Sequence, residues 1–316
     1  DLHTAYRRQR QMCIRDSNNA LSPWTSSLSF DGAEGGAFIN CGNNSSLNIT
    51  SALSISGWFN TSSSDDYRII ITKDSGNTGT RAWLLTMDAR PSYGNGQLKF
   101  RIFGSNATSS EVDTTNTYND GKWHFFTATY EPSTAIKIYV DNDAVVTNTT
   151  SIPSSIVSLP SQDVKIGTYG TYDGSGGRRW DGQLSNIQIY NTTLSQSNVT
   201  SIYNNGTPLI DMSSFSSLVS WWKLNNTTTG IQDSKGSNNG TNNGAIELPG
   251  SVSTLNGLSS GMSQSNLVQS DLQTVAPYSK YAMSFDGAND YIQTSSHPID
   301  FTTGNFTCSA WINVAN

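Results

Sequence analysis

Hydrolysis of a glycosidic bond needs two carboxyl groups flanking it, about 5–9 Å apart, so the glutamates are the first residues to weigh. The chain has four: Glu34, Glu111, Glu131 and Glu247. Only Glu111-Val112-Asp113 sets a glutamate beside a second acid at strand spacing, and it falls in a stretch read as a turn-rich loop. Acyl-transfer chemistry of the Ser/His/Asp kind needs a histidine with those partners. His124 and His297 have no such set assembled around them, and His124, following Trp123 in a strand pattern, reads as structural. Binding of sugars without chemistry would use aromatic rings for stacking and Asn, Asp or Gln for hydrogen bonds. Trp83, Tyr93, Tyr169, Tyr172 and Trp180 stand near loops and are the candidates, against a background in which most strand-borne Trp and Tyr pack into cores. The reactive residue types therefore assemble no catalytic set.

Cysteine adds nothing to this. Cys13, Cys41 and Cys308 show no CxxC metal spacing and no disulfide framework, and the latter two read as small apolar strand residues. The chain carries 18 Lys and Arg against 24 Asp and Glu, a net charge of −6. That balance disfavours nucleic acid as a partner, which calls for a basic stripe. Charged residues make up only 13%, below the usual quarter, while aromatics stay at 10%. Ser, Thr, Asn and Gly fill the difference, as in secreted or virion all-β proteins. Aromatic and β-branched residues are too plentiful for a disordered acidic chain. No apolar run approaches the roughly 18 residues of a membrane helix.

The elements that must position such residues are strands. In 120–146, DGKWHFFTATYEPSTAIKIYVDNDAVV, Phe126, Ala128 and Tyr130 fall on one face and Phe125, Thr127 and Thr129 on the other. Ile136, Ile138 and Val140 alternate with Lys137, Tyr139 and Asp141. Period-two alternation of this kind marks half-buried antiparallel strands. Asp141-Asn142-Asp143 closes the second strand with residues that tolerate left-handed backbone. Further strands are expected at 28–40 (two, about a turn at Asp31-Gly32), 53–60, 67–73, 83–87, 97–103, 164–167 and 180–190. The segments 83–87 and 97–103 read as a hairpin, and 168–179 as a glycine-rich loop. The one helix signal is 194–206, with Ser195 as cap, Val199, Ile202 and Tyr203 on one face and Gly206 as stop. Many short strands, frequent turns and one short helix predict an all-β, two-sheet antiparallel jelly-roll sandwich.

Two features bear on where domains lie. Residues 7–17, RRQRQMCIRDS, resemble an in-frame translation of a transposase adapter used in sequencing libraries, so 1–17 are set aside as an artefact expected to be disordered. Near the other end, 283–313 repeats 28–60. Phe30, Asp31 and Gly32 align with Phe285, Asp286 and Gly287, Phe38 and Ile39 with Tyr291 and Ile292, and Trp58 with Trp311. A spacing of 253–255 residues is too long for a solenoid unit and implies two tandem copies of one domain, the second truncated. Between them, 225–244 and 251–265 are rich in Asn, Ser, Gly and Thr and read as linker. Leu218–Leu224, LVSWWKL, interrupts that linker as a strand with Trp221 and Trp222 on opposite, covered faces.

In order along the chain stand SFDG at 29–32, SISGWF at 54–59, KWHFFTATY at 122–130, IKIYVDN at 136–142, DVKIG at 163–167 and WDGQLSNIQIYNTTLSQSNVTSIYNNG at 180–206. Together these motifs resemble the laminin-G-like jelly-roll family of the concanavalin A-like lectin/glucanase group. The resemblance implies two facing antiparallel sheets, one concave, with variable rim loops, and places Trp58, Trp123 and Trp180 in the core. It implies domains at 18–212 and, truncated, at 281–316, with 213–280 as linker and lead-in strand. Some relatives hold Ca²⁺ at the rim through an aspartate like that of SFDG, which makes Asp31 the candidate metal ligand and Ca²⁺ the candidate cofactor. The second carboxylate of such sites commonly stands in Gly-x-Ile-Asp; here the sequence is Gly182-Gln183-Leu184-Ser185, so Ser185 replaces it, and Asp31 reads more simply as a turn cap. The glucanases of the group carry a Glu-x-Asp-x-x-Glu strand that this chain lacks. The expected function is a non-catalytic extracellular, cell-surface or virion-borne recognition module, part of a larger multidomain chain, that binds a glycan or a cell-surface protein through rim loops. The alternatives are a structural spacer in a fibre, tail or surface protein, and an accessory domain of a glycoside hydrolase.

Overall fold

The computed structural model describes residues 26–249, apart from 34–35, 65–66, 75–79, 89–94, 106–107, 142 and 170–177, and two short strands beyond them. The chain divides into two compact units. One is Leu21–Val252. In the other, Asp1–Ala20 with Ser253–Asn316, the described residues form one antiparallel pair, Gln273–Val275 and Ser279–Ala282. The repeat at 283–313 and the adapter-like residues 1–17 lie outside the described residues.

The larger unit is the sandwich that strand alternation predicts. Its strands are β1 (Ser26–Asp31), β2 (Phe38–Asn40), β3 (Leu53–Asn60), β4 (Tyr67–Asp74), β5 (Arg81–Asp88), β6 (Gln97–Phe103), β7 (Ser109–Asp113), β8 (Trp123–Glu131), β9 (Ala135–Val140), β10 (Val146–Asn148), β11 (Lys165–Ile166), β12 (Asp181–Tyr190), β13 (Leu218–Trp222), β14 (Thr241–Asn243) and β15 (Ile246–Pro249). One helix, α1 (Gln196–Tyr203), follows β12. Sheet A has the order β10-β9-β8-β3-β12-β1-β15, with β13 also on β12. Sheet B has the order β14-β2-β11-β4-β5-β6-β7. Every pairing is antiparallel.

The core lies between the sheets and is built from the alternation. Phe126, Ala128 and Tyr130 of β8 and Ile136, Ile138 and Val140 of β9 face it, against Leu85 and Met87 of β5 and Leu98, Phe100 and Ile102 of β6. Strand β6 alternates cleanly, each buried residue flanked by half-buried ones. Strand β3 is buried on both faces, because a second apolar cluster covers the outside of sheet A. There Trp58, Phe125, Tyr139 and Tyr190 meet Val199 and Ile202 of α1, together with Met212, Phe215 and Trp221. Ser195 caps α1, its hydroxyl accepting from the Asn198 amide at 3.2 Å. The helix stops at Tyr203 because Asn204 turns left-handed with φ 46°, three residues ahead of the Gly206 stop expected from sequence.

Strand pairing continues past 212, where the sequence suggested a boundary. Strand β13 pairs with β12, β14 with β2, and β15 with β1. Strand β12 accommodates this by its length: 181–184 pair with β1 and 187–190 with β13. The Asp233 carboxylate fixes the intervening loop, accepting from the amides of Trp221, Lys235 and Asn238 at 2.9, 3.0 and 3.1 Å. The polar strand β14, TNN, is held through its backbone, which composition does not reveal.

Candidate functional site

The apolar cluster under α1 covers the outside of sheet A over β3, β8, β9, β12 and β13; on sheet B, β4 and β5 are buried on both faces, and the outward residues of β6 and β7 are half-buried. Register decides what stands on the outside of sheet B. Leu85, Phe100 and Val112 form one inward cross-strand row. The rows beside it point outward: Leu84, Arg101 and Glu111 in one, Thr86, Lys99 and Asp113 in the other. Glu111-Val112-Asp113 therefore belongs to strand β7 and not to a loop, with Val112 buried and both acids half-buried. Each acid has a cation: Lys99 Nζ lies 2.6 Å from Asp113 Oδ2, and Arg101 Nε lies 3.9 Å from Glu111 Oε2. Burial, with Asp113 alongside, pushes the Glu111 carboxyl above its ordinary range.

A small apolar patch of Ile69, Leu84 and Tyr169 sits on this face, with Tyr67 and Phe103 packed against it. Guanidinium groups cover its rings. Arg178 lies over Tyr67 and Tyr169, 6.0 and 5.6 Å from their centroids. Arg101 and Arg81 lie over Phe103 at 4.9 and 5.6 Å. Arg179 and Lys165 lie over Phe38 at 5.3 and 5.4 Å. A cation–π contact of this kind places a guanidinium near a ring without using its N–H donors. Burial pushes the Tyr169 hydroxyl up to about 12, with Tyr67 and Asp74 adding to it, so it stays neutral. All five described arginines, 68, 81, 101, 178 and 179, sit on sheet B or in the segment leading from β11 to β12; the strands of sheet A carry none.

The aromatics singled out from sequence fare differently. Trp83, Trp180 and Tyr169 are buried, the first two in the main core, because each lies on or beside a strand whose neighbours enclose it. They offer no open ring face to a sugar. Tyr93 and Tyr172 lie outside the described residues. The residues that do stand on the face, Tyr67, Arg81, Arg101, Phe103 and Arg178, were not singled out from sequence. Alternation in QLKFRIF could have found Arg101 and Phe103; Arg178 had only its place after a glycine-rich loop.

At the rim, Asp31 closes the turn after β1, its Oδ1 accepting from the amides of Ala33 and Ala37 at 3.3 and 3.1 Å. Across the strand pair it faces Asp181. Arginines occupy the carbonyls nearby. Arg68 donates to the Gly32 and Arg179 carbonyls at 3.2 and 3.1 Å and lies 4.0 Å from Asp181, while Arg179 donates to the Gly36 carbonyl at 2.8 Å. Ser185 is buried and donates to the Lys223 carbonyl at 3.4 Å. Ca²⁺ takes six to eight oxygens, carboxylates among them. The described donors around Asp31 do not supply that set, and among the described residues no three His, Cys, Asp or Glu side chains group to hold a metal. Cys41 is free and buried, and burial raises its thiol well above the usual range; Cys308 lies outside the described residues.

A family model for Laminin_G_3, described as concanavalin A-like lectin/glucanases superfamily, matches residues 31–200. The chain belongs to this family. Solved structures match at low identity. A heptameric SAP-like pentraxin from Limulus polyphemus matches with 13% identity and a TM-score of 0.51, over 74% of this chain and all of its own. A provisionally described carbohydrate-binding protein from Bacteroides ovatus matches with 16% identity and a TM-score of 0.49, over 71% of this chain and 60% of its own, so this Laminin_G_3 chain spans less than two thirds of that protein. Mouse laminin α1 domains LG4-5 match with 13% identity and a TM-score of 0.39, over 54% of this chain and 43% of theirs. Among curated proteins, none matches. No helix among the described residues is long and apolar enough to cross a membrane.

Proposed function

We propose that this Laminin_G_3 domain is a non-catalytic recognition module that binds a glycan on the outer face of sheet B. The observation that carries this reading is the charged and aromatic surface along β6, β7 and the first residues of β4 and β5. On sheet A, α1 and the cluster around Trp58 and Trp221 cover β3, β8, β9, β12 and β13. Sheet B presents half-buried rings, guanidinium groups and carboxylates on one surface. Such a mixture of donors, acceptors and stiff apolar edges is suited to hydroxyl-rich ligands.

Against catalysis stands the engagement of Glu111 and Asp113, each with its own cation. A glycosidase needs one carboxyl free to protonate and another free to attack or to activate water. An extracellular or virion setting fits the low charge and the abundance of Ser, Thr, Asn and Gly. A glycan array probed with the full chain tests the reading, with a pull-down against surface proteins alongside. Binding to at least one sugar class is expected; a blank array with a specific protein captured would replace the glycan by a protein ligand.

A further inference from the structure

The rings on sheet B already have cations over them, and those cations are mostly arginines. A guanidinium carbon stands over Tyr67, Tyr169 and Phe103, 4.9–6.0 Å from their centroids, where a sugar would have to sit. The free chemistry of the face is then the guanidinium edge, a planar fork of N–H donors. Arg81 and Arg101 have carboxylates near their Nε, Asp74 at 3.6 Å and Glu111 at 3.9 Å. Arg178 differs. It is exposed, its backbone is pinned where the Ile69 amide donates to its carbonyl at 3.2 Å, and no carboxylate or carbonyl among the described residues takes its guanidinium protons. A guanidinium with no such partner among the described residues is suited to an oxyanion.

Building on the glycan-binding reading above, we propose that Arg178, held over Tyr67 and Tyr169 and flanked by Arg81 and Arg101, receives the carboxylate of an acidic sugar, so that the ligand is a uronate-bearing glycan. A carboxylate matches the planar fork with two parallel hydrogen bonds. Glu111 and Asp113 on the same face oppose a densely charged polymer, which favours one carboxylate per sugar over heavy sulfation. The chain as a whole is acidic, with net charge −6, so attraction must come from this local cluster and not from overall charge.

The test is binding of the full chain to polygalacturonate in EDTA, with dextran, dextran sulfate and polyglutamate as competitors. Polygalacturonate should bind, weaken as salt is raised, and outcompete the other three. Arg178→Ala should weaken it about tenfold with an unchanged melting curve, since a charge-assisted pair of hydrogen bonds is lost. Arg178→Lys should fall between, and Lys235→Ala, which removes an exposed cation from the β13–β14 loop, should bind as wild type. Equal binding of dextran and polygalacturonate would overturn the acidic-sugar inference and leave the glycan reading standing. Preference for dextran sulfate or polyglutamate, or an Arg178→Ala protein that binds as wild type, would also overturn it. No binding to any of these polymers, together with a blank glycan array, would remove both.

Discussion

His124 Nδ1 lies 2.7 Å from Asp141 Oδ2, while its Nε2 lies 3.0 Å from Asp120 Oδ1, so one imidazole bridges two carboxylates. Asp141 is held for this by its left-handed backbone, φ 46°, and by the Phe125 amide, which donates to its Oδ1 at 2.8 Å. Burial disfavours the charged ring, but the hydrogen bonds to Asp141 and Asp120 outweigh it, and the His124 pKa is raised. Asp120 is correspondingly lowered, first by Lys122 and then by His124. A histidine raised above its unfolded value of about 6.5 contributes stability that is whole below that pH and is lost as pH climbs through the folded value. The lowered Asp120 works the other way and loses its contribution only in acid. The His124 contribution read by chemical denaturation should therefore decline as pH rises above about 6.5, and His124→Asn should remove that part of the pH dependence. A slope that survives the substitution would assign it to another group.

Trp222 ties the segment beyond α1 into the sandwich. Its ring is fully buried in the main core, and its Nε1 donates to the Asn238 carbonyl at 2.6 Å. Replacing it by alanine should cost about 3–5 kcal/mol, the range for a buried Trp. A loss under about 1 kcal/mol would mean that 213–249 is only loosely attached and that the expected linker reading describes it better.

Much of this fold was legible because alternation survives wherever one strand face is buried and the other is not. QLKFRIF and IKIYV show it directly, and the Ser195 cap marked α1 within a residue. What stayed hidden has two causes. Strands such as β14 are edge segments held by backbone pairing, with no side-chain signature. The binding face depends on cross-strand neighbours: Arg178 and Tyr67 are 111 residues apart in sequence, and nothing local says that they stack. Glu111-Val112-Asp113 was misread for a related reason, since the turn residues around a five-residue strand masked its alternation.

Asp31 offers a direct comparison of its two possible roles. As a turn cap it satisfies the Ala33 and Ala37 amides, and Asp31→Ala should cost about 1 kcal/mol. That cost should be the same in EDTA and in millimolar Ca²⁺. A cost that appears only with calcium, accompanied by a calcium-dependent rise in the melting temperature of the wild type, would make Asp31 a metal ligand instead.

Asp113 decides whether the acids on β7 act on a substrate or on their neighbours. The Lys99 side chain is only 11% exposed, and Asp113, 37% exposed, is the carboxylate paired with it at 2.6 Å. Removing the carboxylate leaves a largely buried ammonium without its counter-charge, so Asp113→Asn should cost about 1–3 kcal/mol. If the pairing is the cause, Lys99→Met should rescue the loss in the double variant, because the charge and its partner are then removed together. A catalytic acid behaves otherwise: Asp113→Asn would abolish hydrolysis with little effect on stability. Hydrolysis of a β-glucan by the wild type, lost in Asp113→Asn at unchanged melting temperature, would turn the paired acids into a catalytic site. Equal silence of both proteins toward β-glucan, with the double-variant rescue, identifies Asp113 as the counter-ion that keeps Lys99 within the sheet.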